Sequence, residues 1–589
     1  MARIPIEFVG QAYEMPAKQL DAERCVNWYI TYSKTGKFSS ALLPTPGLEI
    51  FSEGDASDHS VRGLFELNDT LYAVVDAHFY IIDDNGQRIL KGTLTSASGA
   101  VKMVPNDEQI FISDGAHGYI YQLVTTATRT AGDFFEITDA TSFISDPVFT
   151  GAGIDDMTTG GTYIGTANKQ YVVEIDYAGT GGVADRFRWS NTNGSTWNTS
   201  HVTITGLDQT IEEGITVNFQ HTTGHTLNDK WTFSTTIDSA FYVPIIPAYQ
   251  DGYGVYVKQE SDRWYISKLD DFSEVNALDY AVANAWPDDL VAAISIREEL
   301  WLIGRQTAEV WYDTGASLFP FERRTGLIVK YGCDAPYTVT VADNNILFWL
   351  GRNEEGARVV IALEGYEAKV ISTEAINAEM MEYEDVRDAI AFSHQWQGHM
   401  FYTIIFPTAD RCWCFDMTTQ AWHERRSRIY NELPHTNEYR QARWRANCFA
   451  YYKNHHLVGD FVSGDIFNLS ASTYTENGTP IICERITKVA QSNLDRLFCD
   501  SLQVDMQAGT GLTVDQGSDP QVMLQVSRDG GMTWGNELWR SSGKIGEYTH
   551  RAKWNHLGSG RSFVFKLKTS DPVYRVVLGA VADMQDSGS

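Results

Sequence analysis

The chain has 589 residues, a formal net charge of −30 and an isoelectric point near 4.8. That length exceeds one ordinary core, so two to four domains, or one large repeat domain with additions, is expected. The acidic excess excludes a general polyanion-wrapping surface, which needs clustered Lys and Arg.

At the start, Met1 to Phe8 lack the apolar core of a signal peptide, and no later run reaches the ~18 apolar residues of a membrane span. The expectation is a soluble, unexported chain without membrane insertion. Residues 1–60 read as an irregular arm, with the pieces DAERCVNWYI (Asp21 to Ile30) and LLPTPGLEIF (Leu42 to Phe51) broken by Pro44, Pro46 and Gly47. An arm of this kind drapes over other elements.

From Val61 a repeated shape begins, VRGLFELNDTLYAVVDAHFYIID, in which Asn68-Asp69 turns one strand back on the next. It returns from Ala100 with Asn106-Asp107 at the equivalent turn, and 61–147 forms the first part of the repeat region. In Asp251 to Gly315 the runs Leu290 to Ile296, Leu300 to Gly304 and Ala308 to Asp313 are separated by the polar turns Arg297-Glu298-Glu299 and Arg305-Gln306-Thr307. Further copies start at Pro336, turning at Asp343-Asn344-Asn345, at Ala389 and at Arg445, so that 241–474 is the second part. Starts lie roughly 40 to 55 residues apart, the period of propeller blades. Seven units are countable, and six blades plus a stray hairpin would read the same way.

Two stretches break this rhythm. Residues 148–240 contain neither Pro nor Cys and alternate in short runs such as HVTITG and GITVNFQ, the pattern of an Ig-like β-sandwich inserted on a loop. Residues 475–589 alternate over longer strands and read as a separate C-terminal β-sandwich. Helix is expected only over Thr373 to Arg387, with Thr373 as N-cap and Ile376, Met380, Tyr383 and Arg387 on one stripe. The predicted fold is therefore all-β: a β-propeller of six or seven blades, an inserted β-sandwich and a C-terminal β-sandwich.

Signals of chemistry are sparse. Seven cysteines (Cys25, Cys333, Cys412, Cys414, Cys448, Cys483 and Cys499) include no CxxC pair, which argues against disulfide frameworks and structural zinc. Cys412 and Cys414 flank Trp413 and read as alternation on a buried face. Ser527 to Trp534 (SRDGGMTW) resembles the Asp-box turn of sialidases, and Ser190 to Trp197 (SNTNGSTW) is a degenerate copy. The structural reading is a hairpin in which the Asp side chain ties up backbone N–H groups and Gly supplies positive φ. Arg3-Ile4-Pro5 resembles the arginine motif near the start of sialidases, where arginines hold a carboxylate, yet both Asp-boxes fall outside the repeats. Gly151 to Gly153 and Gly179 to Gly182 lack the context of a phosphate loop, and His455-His456 reads as a surface turn. No catalytic, cofactor or metal residue is expected. One basic, aromatic concentration stands out: Trp422, Arg425, Arg426, Arg428, Arg440, Arg443, Trp444 and Arg445, with Tyr430 and Tyr439 between. A subunit or partner interface is the favoured reading, against a solvated loop or a nucleic-acid surface.

Several of these stretches together resemble a known family. DAERCVNWYI followed by PTPGL, the blade from Val61, SDRWYISKLDD, DLVAAISIREELWLIGRQTAEVWYDTG, KYGCDAPYTVTVADNNILFWLG and the closing FVFKLKTSDPVY are similar to the packaged-DNA stabilisation proteins of short-tailed phages, also called tail hub or nozzle proteins. The insert departs from that pattern and is similar to a β-sandwich module found among phage structural proteins, through FRWSNTNGSTW, TIEEGITVNF and TTGHTLNDKWTF. The resemblance implies a non-enzymatic virion tail protein, assembled in the host cytoplasm. It further implies a six-fold homo-oligomeric ring that extends the DNA channel below portal and adaptor proteins, contacts tail fibres or the tail tip, and helps retain packaged DNA until ejection. Double-stranded DNA would pass transiently without sequence-specific binding, and no cofactor is implied. The alternative from the Asp-box is a tail-associated glycan-binding or sialidase-like propeller.

Overall fold

The computed structural model describes residues 2–586 apart from 12, 19, 36–37, 128, 138–139, 166–167, 240, 318, 343–344, 354, 432–437 and 493–494. The expected turn at Asp343-Asn344 falls outside the described residues. The chain forms two compact units, one of 1–136, 243–273 and 279–589, the other of 137–242 and 274–278.

In the larger unit, seven antiparallel strand groups follow one another among the described residues, the first five as separate small sheets, the sixth continuing into a ten-stranded sheet and the seventh into a six-stranded one. The first comprises Val61–Leu67, Thr70–Val75, His78–Ile82 and Arg88–Thr93. The second runs from Lys102–Pro105 to Phe134–Glu136, the third from Ala248–Gln250 to Asp271–Val282, and the fourth from Leu290–Ile296 to Phe321–Val329. The fifth spans Gly332–Cys333 to Glu367–Val370, the sixth Ile390–Trp396 to Ala421–Glu424, and the seventh Ala446–Tyr452 to Ile466–Ser470. Reversal is set locally. Asn68 and Asp69 take φ of 50° and 60°, and Arg297 and Glu298 take 54° and 61°, the two-residue turn whose twist matches paired strands.

Each sheet packs on the next. Tyr72 and Val74 of the first join Ile110 and Tyr119 of the second, and Gln109 of the second donates to Asp271 of the third at 3.1 Å. Trp264 and Leu300 share a cluster between third and fourth, as do Trp301 and Trp349 between fourth and fifth. Phe348 stacks on Tyr402 at 4.8 Å between fifth and sixth, and Phe392 meets Phe467 between sixth and seventh. The series then returns to its start, because Leu457 and Ile466 of the seventh pack on Val61 and Leu71 of the first. Gly459 is required at that joint, since a Cβ there would lie 2.5 Å from Val61 Cγ1. The sheets are thus the seven blades of a propeller.

The arm does more than drape. Gly47–Ser52 adds a strand to the seventh blade beside Ile466–Ser470. A Cβ on Gly47 would lie 2.2 Å from the Thr473 carbonyl oxygen, so only glycine admits this approach. Ala2–Ile6 and Ser40–Pro44 pair with Val577–Asp586, while Ala22–Val26 pairs with Cys483–Ile486. The C-terminal sandwich therefore draws strands from both ends of the chain. Its core, which includes Trp28, Leu502, Trp554 and Phe565, is continuous with that of the sixth blade. Buried Arg485 fixes the crossing by donating to the Phe8 carbonyl at 2.7 Å and to Glu23 Oε1 at 2.6 Å.

The smaller unit is a sandwich of a six-stranded and a three-stranded sheet. Its core holds Tyr171, Phe187, Phe219 and Trp231. The helix covers Glu374–Glu382, and Thr373 Oγ1 accepts from the Ile376 amide at 3.3 Å as expected of the N-cap. It ends before Arg387 because Tyr383 is extended (φ −69°, ψ 131°) and Arg358 takes the carbonyls of Met380 and Tyr383.

Candidate functional site

The basic, aromatic segment forms a two-stranded hairpin, Arg426–Asn431 against Glu438–Arg443; 432–437 lie outside the described residues. Arg428 faces Gln441 and Tyr430 faces Tyr439. The two tyrosines are 45 % and 49 % exposed, with ring centroids 5.3 Å apart. Arg428 lies over the Tyr439 ring at 4.7 Å, which holds the guanidinium flat beside an aromatic face. Arg440 pairs with Asp410 at 2.9 Å and stays about half exposed.

The remaining candidates point the other way. Trp422 is buried and donates through Nε1 to the Ile371 carbonyl at 2.8 Å. Arg425 is 2 % exposed, and its guanidinium carbon sits 3.4 Å from the centroid of the Trp444 ring, which is wholly buried. Arg443 is buried with its guanidinium 3.5 Å over Phe461, and burial pushes it down to about 10. Arg445 clasps buried Asp460. Arg426 pairs with Glu424, which also receives Arg24 Nη2 at 2.7 Å. Trp422, Arg425, Arg443 and Trp444 thus hold the interior together around the sixth and seventh blades and cannot meet a partner. The side chains left at the surface are those of Arg428, Tyr430 and Tyr439 on one face of the hairpin and of Arg440 on the other. Along 425–430 burial alternates, Arg425 and Ser427 lying inside while Arg428 and Tyr430 do not. On the partner strand it does not, since Arg443 shares the face of Arg428 and Tyr439 and is buried, and Arg440 lies on the other face and is exposed.

Both Asp-box segments are closed turns. Asp529 accepts from the Thr533 amide at 2.9 Å and from Ser527 Oγ at 2.7 Å, and the bonds from Thr533 and Ser527 hold its carboxyl down to about 2. In the copy, Thr192 Oγ1 takes the place of the carboxylate and accepts from the Thr196 amide at 2.9 Å. Lys566 lies 4.2 Å over Trp534, as Arg188 lies 3.9 Å over Trp197. These side chains are used by the turns themselves. Arg3 pairs with Asp583. Cys412 and Cys414 are buried in one cluster and Trp413 in another, and among the described residues no group of His, Cys, Asp and Glu could hold a metal. A cleft of ≈ 960 Å³ has Leu290, Val291 and Tyr337 on its wall with Arg305, Lys330, Arg352 and Arg387. Arg305 is met by Asp289 at 4.0 Å, Arg352 by Asp334 at 2.6 Å and Arg387 by Asp385 at 2.9 Å. Among the described residues no helix is long and apolar enough to cross a membrane.

Residues 199–474 match the family model described as bacteriophage P22 Gp10, β-propeller, and 482–585 match its companion, bacteriophage P22 Gp10, β-sandwich. The chain belongs to the bacteriophage P22 Gp10 family. As a Gp10-family member it is a structural protein of a phage tail and a component of the virion. No curated protein matches the chain. Among solved structures, the computationally designed Ika8 protein is similar at 10 % identity and a TM-score of 0.30, over 72 % of this chain and 99 % of that one. Apo AztD from Citrobacter koseri is similar at 9 % identity and a TM-score of 0.26, over 68 % and 91 %. Likenesses this weak carry no argument about the Gp10-family chain.

Proposed function

We propose that this chain is a non-enzymatic tail nozzle or hub subunit, which assembles as a six-fold ring, extends the DNA channel below portal and adaptor, and helps retain packaged DNA until ejection. The observation that carries the reading is the Gp10-family match across both the propeller and the sandwich. The net charge of −30 supports it, because an acidic wall repels phosphate and opposes sticking of DNA in transit. A ring of identical subunits needs heterologous contacts, and the projecting hairpin, through Arg428, Tyr430, Tyr439 and Arg440, is the surface we assign to one of them. End-on electron-microscopy averages of tails carrying this chain test the proposal. Six-fold rings on the tail axis are expected, and particles that lack the chain or carry it off the axis overturn it. The glycan-active alternative gains no support from the Asp-box side chains, which are bonded within their own turns.

A further inference from the structure

The joint between the sixth and seventh blades is lined with aromatic rings, and two imidazoles are set among them. His394, on Ile390–Trp396 of the sixth blade, is buried. Its ring lies 5.3 Å from Phe401 of its own blade and 5.5 Å from Phe449 of the seventh. His456, on His455–Asp460 of the seventh blade, is half-buried. It lies 6.1 Å from the same Phe449 and 5.5 Å from Trp396 of the sixth blade. Each imidazole therefore crosses the joint. In both rings Nδ1 is buried without a hydrogen-bond partner. His399 has Asp416 at 2.7 Å, but among the described residues no carboxylate pairs with His394 or His456.

The surroundings favour the neutral rings. His394 borders one narrow gap together with Arg425, His423, Cys414 and Tyr29, and Glu476 and the Cys414 thiol are set against Arg425. Burial pushes His394 well below the ordinary imidazole range, and Arg425, His456 and His423 push it the same way. Burial also lowers His456, whose other ring neighbour is Tyr451 at 5.1 Å. A value depressed in the closed chain means that the opened chain takes up the proton first. Stability is thus present above the unfolded value, about 6.5, and is lost as pH falls below it. A ring that stays neutral while closed makes opening about tenfold more frequent at pH 5.5 than at pH 7.5, and two such rings about a hundredfold.

We propose that the joint of the sixth and seventh blades is an acid-sensitive latch, held shut while His394 and His456 are neutral and released when both take up a proton. Release parts these two blades, whereas the third, fourth and fifth, with no histidine between 248 and 370, keep their joints. Amide hydrogen exchange of the intact chain tests this, read as protection factors so that the intrinsic effect of pH is removed. Between pH 7.5 and 5.5, protection in His399–Phe406 and His455–Asp460 is expected to fall roughly a hundredfold. It should end at least about tenfold below that of Glu299–Gly304 in the fourth blade. His394→Phe with His456→Phe, which keep a ring at each position, should remove most of the fall. Should that pair fail to fold, ring C–H exchange of the native histidines decides, with His394 and His456 expected to half-protonate below the ordinary imidazole range. A fall under about tenfold, protection at pH 5.5 equal to that of Glu299–Gly304, a full response in the double variant, or ordinary titration of His394 would overturn the proposal.

Discussion

Glu424 shows how a single buried charge organises this molecule. Its carboxylate sits between Arg24 and Arg426 at the point where arm and sixth blade meet. Burial alone would raise it, but the two guanidinium groups outweigh burial and hold it below the usual carboxylate range. A depressed folded value contributes stability that is present above the unfolded value, about 4.3, and is lost as pH falls through the folded one. Glu424→Gln leaves Arg426 without its carboxylate and Arg24 with Glu484 alone, and is expected to cost about 3–5 kcal/mol, read from the denaturant midpoint at pH 7. The same variant should lose less stability than the native chain between pH 4.3 and acid. Asp529 is a milder case. Asp529→Ala removes its turn bonds and should cost about 1 kcal/mol, whereas Asp529→Thr, which copies Thr192 in the other turn, should recover most of it. A thermal scan of the three forms separates these outcomes.

At the scale of elements, the blades were legible because their information is local. A hydrophobic run, a two-residue turn and another run suffice, even where the turn is Arg297-Glu298 and not Asn-Gly. The helix cap at Thr373 was equally local. The roles of the arm and the arginines were not. Ala22–Val26 finds its partners some 400 residues away, next to Glu424 and on Cys483–Ile486, and no periodicity within the arm encodes a partner that distant. Residues 422–445 read as one basic patch because composition does not distinguish a guanidinium stacked on buried Trp444 from one beside exposed Tyr439; only the packing of the folded chain divides them. Two substitutions exploit the difference. Gly47→Val should prevent the arm strand from joining the seventh blade and lower the melting temperature sharply, with protease cleavage appearing near residue 50. The pair Arg428→Glu and Tyr439→Ala should leave melting within about 2 °C of native and weaken ring assembly at least tenfold by sedimentation, if the hairpin is the contact assigned to it.

For the whole molecule, the seven thiols report closure. Six are buried and Cys448 is partly so, so a thiol reagent should label at most one in the native chain and all seven in denaturant, at a rate set by global opening. The arm gives this closure a direction in time. Residues 2–6 leave the ribosome long before their partners at 580–584. At bacterial elongation rates the strand 22–26 waits roughly 20–80 s for the segment 400 residues downstream. Until then the arm strands have no sheet to join and the sandwich lacks strands in both sheets. A polypeptide cut short anywhere before residue 577 therefore presents raw sheet edges, so synthesis of the strand at 577–586 doubles as the quality check on which copies can enter an assembly.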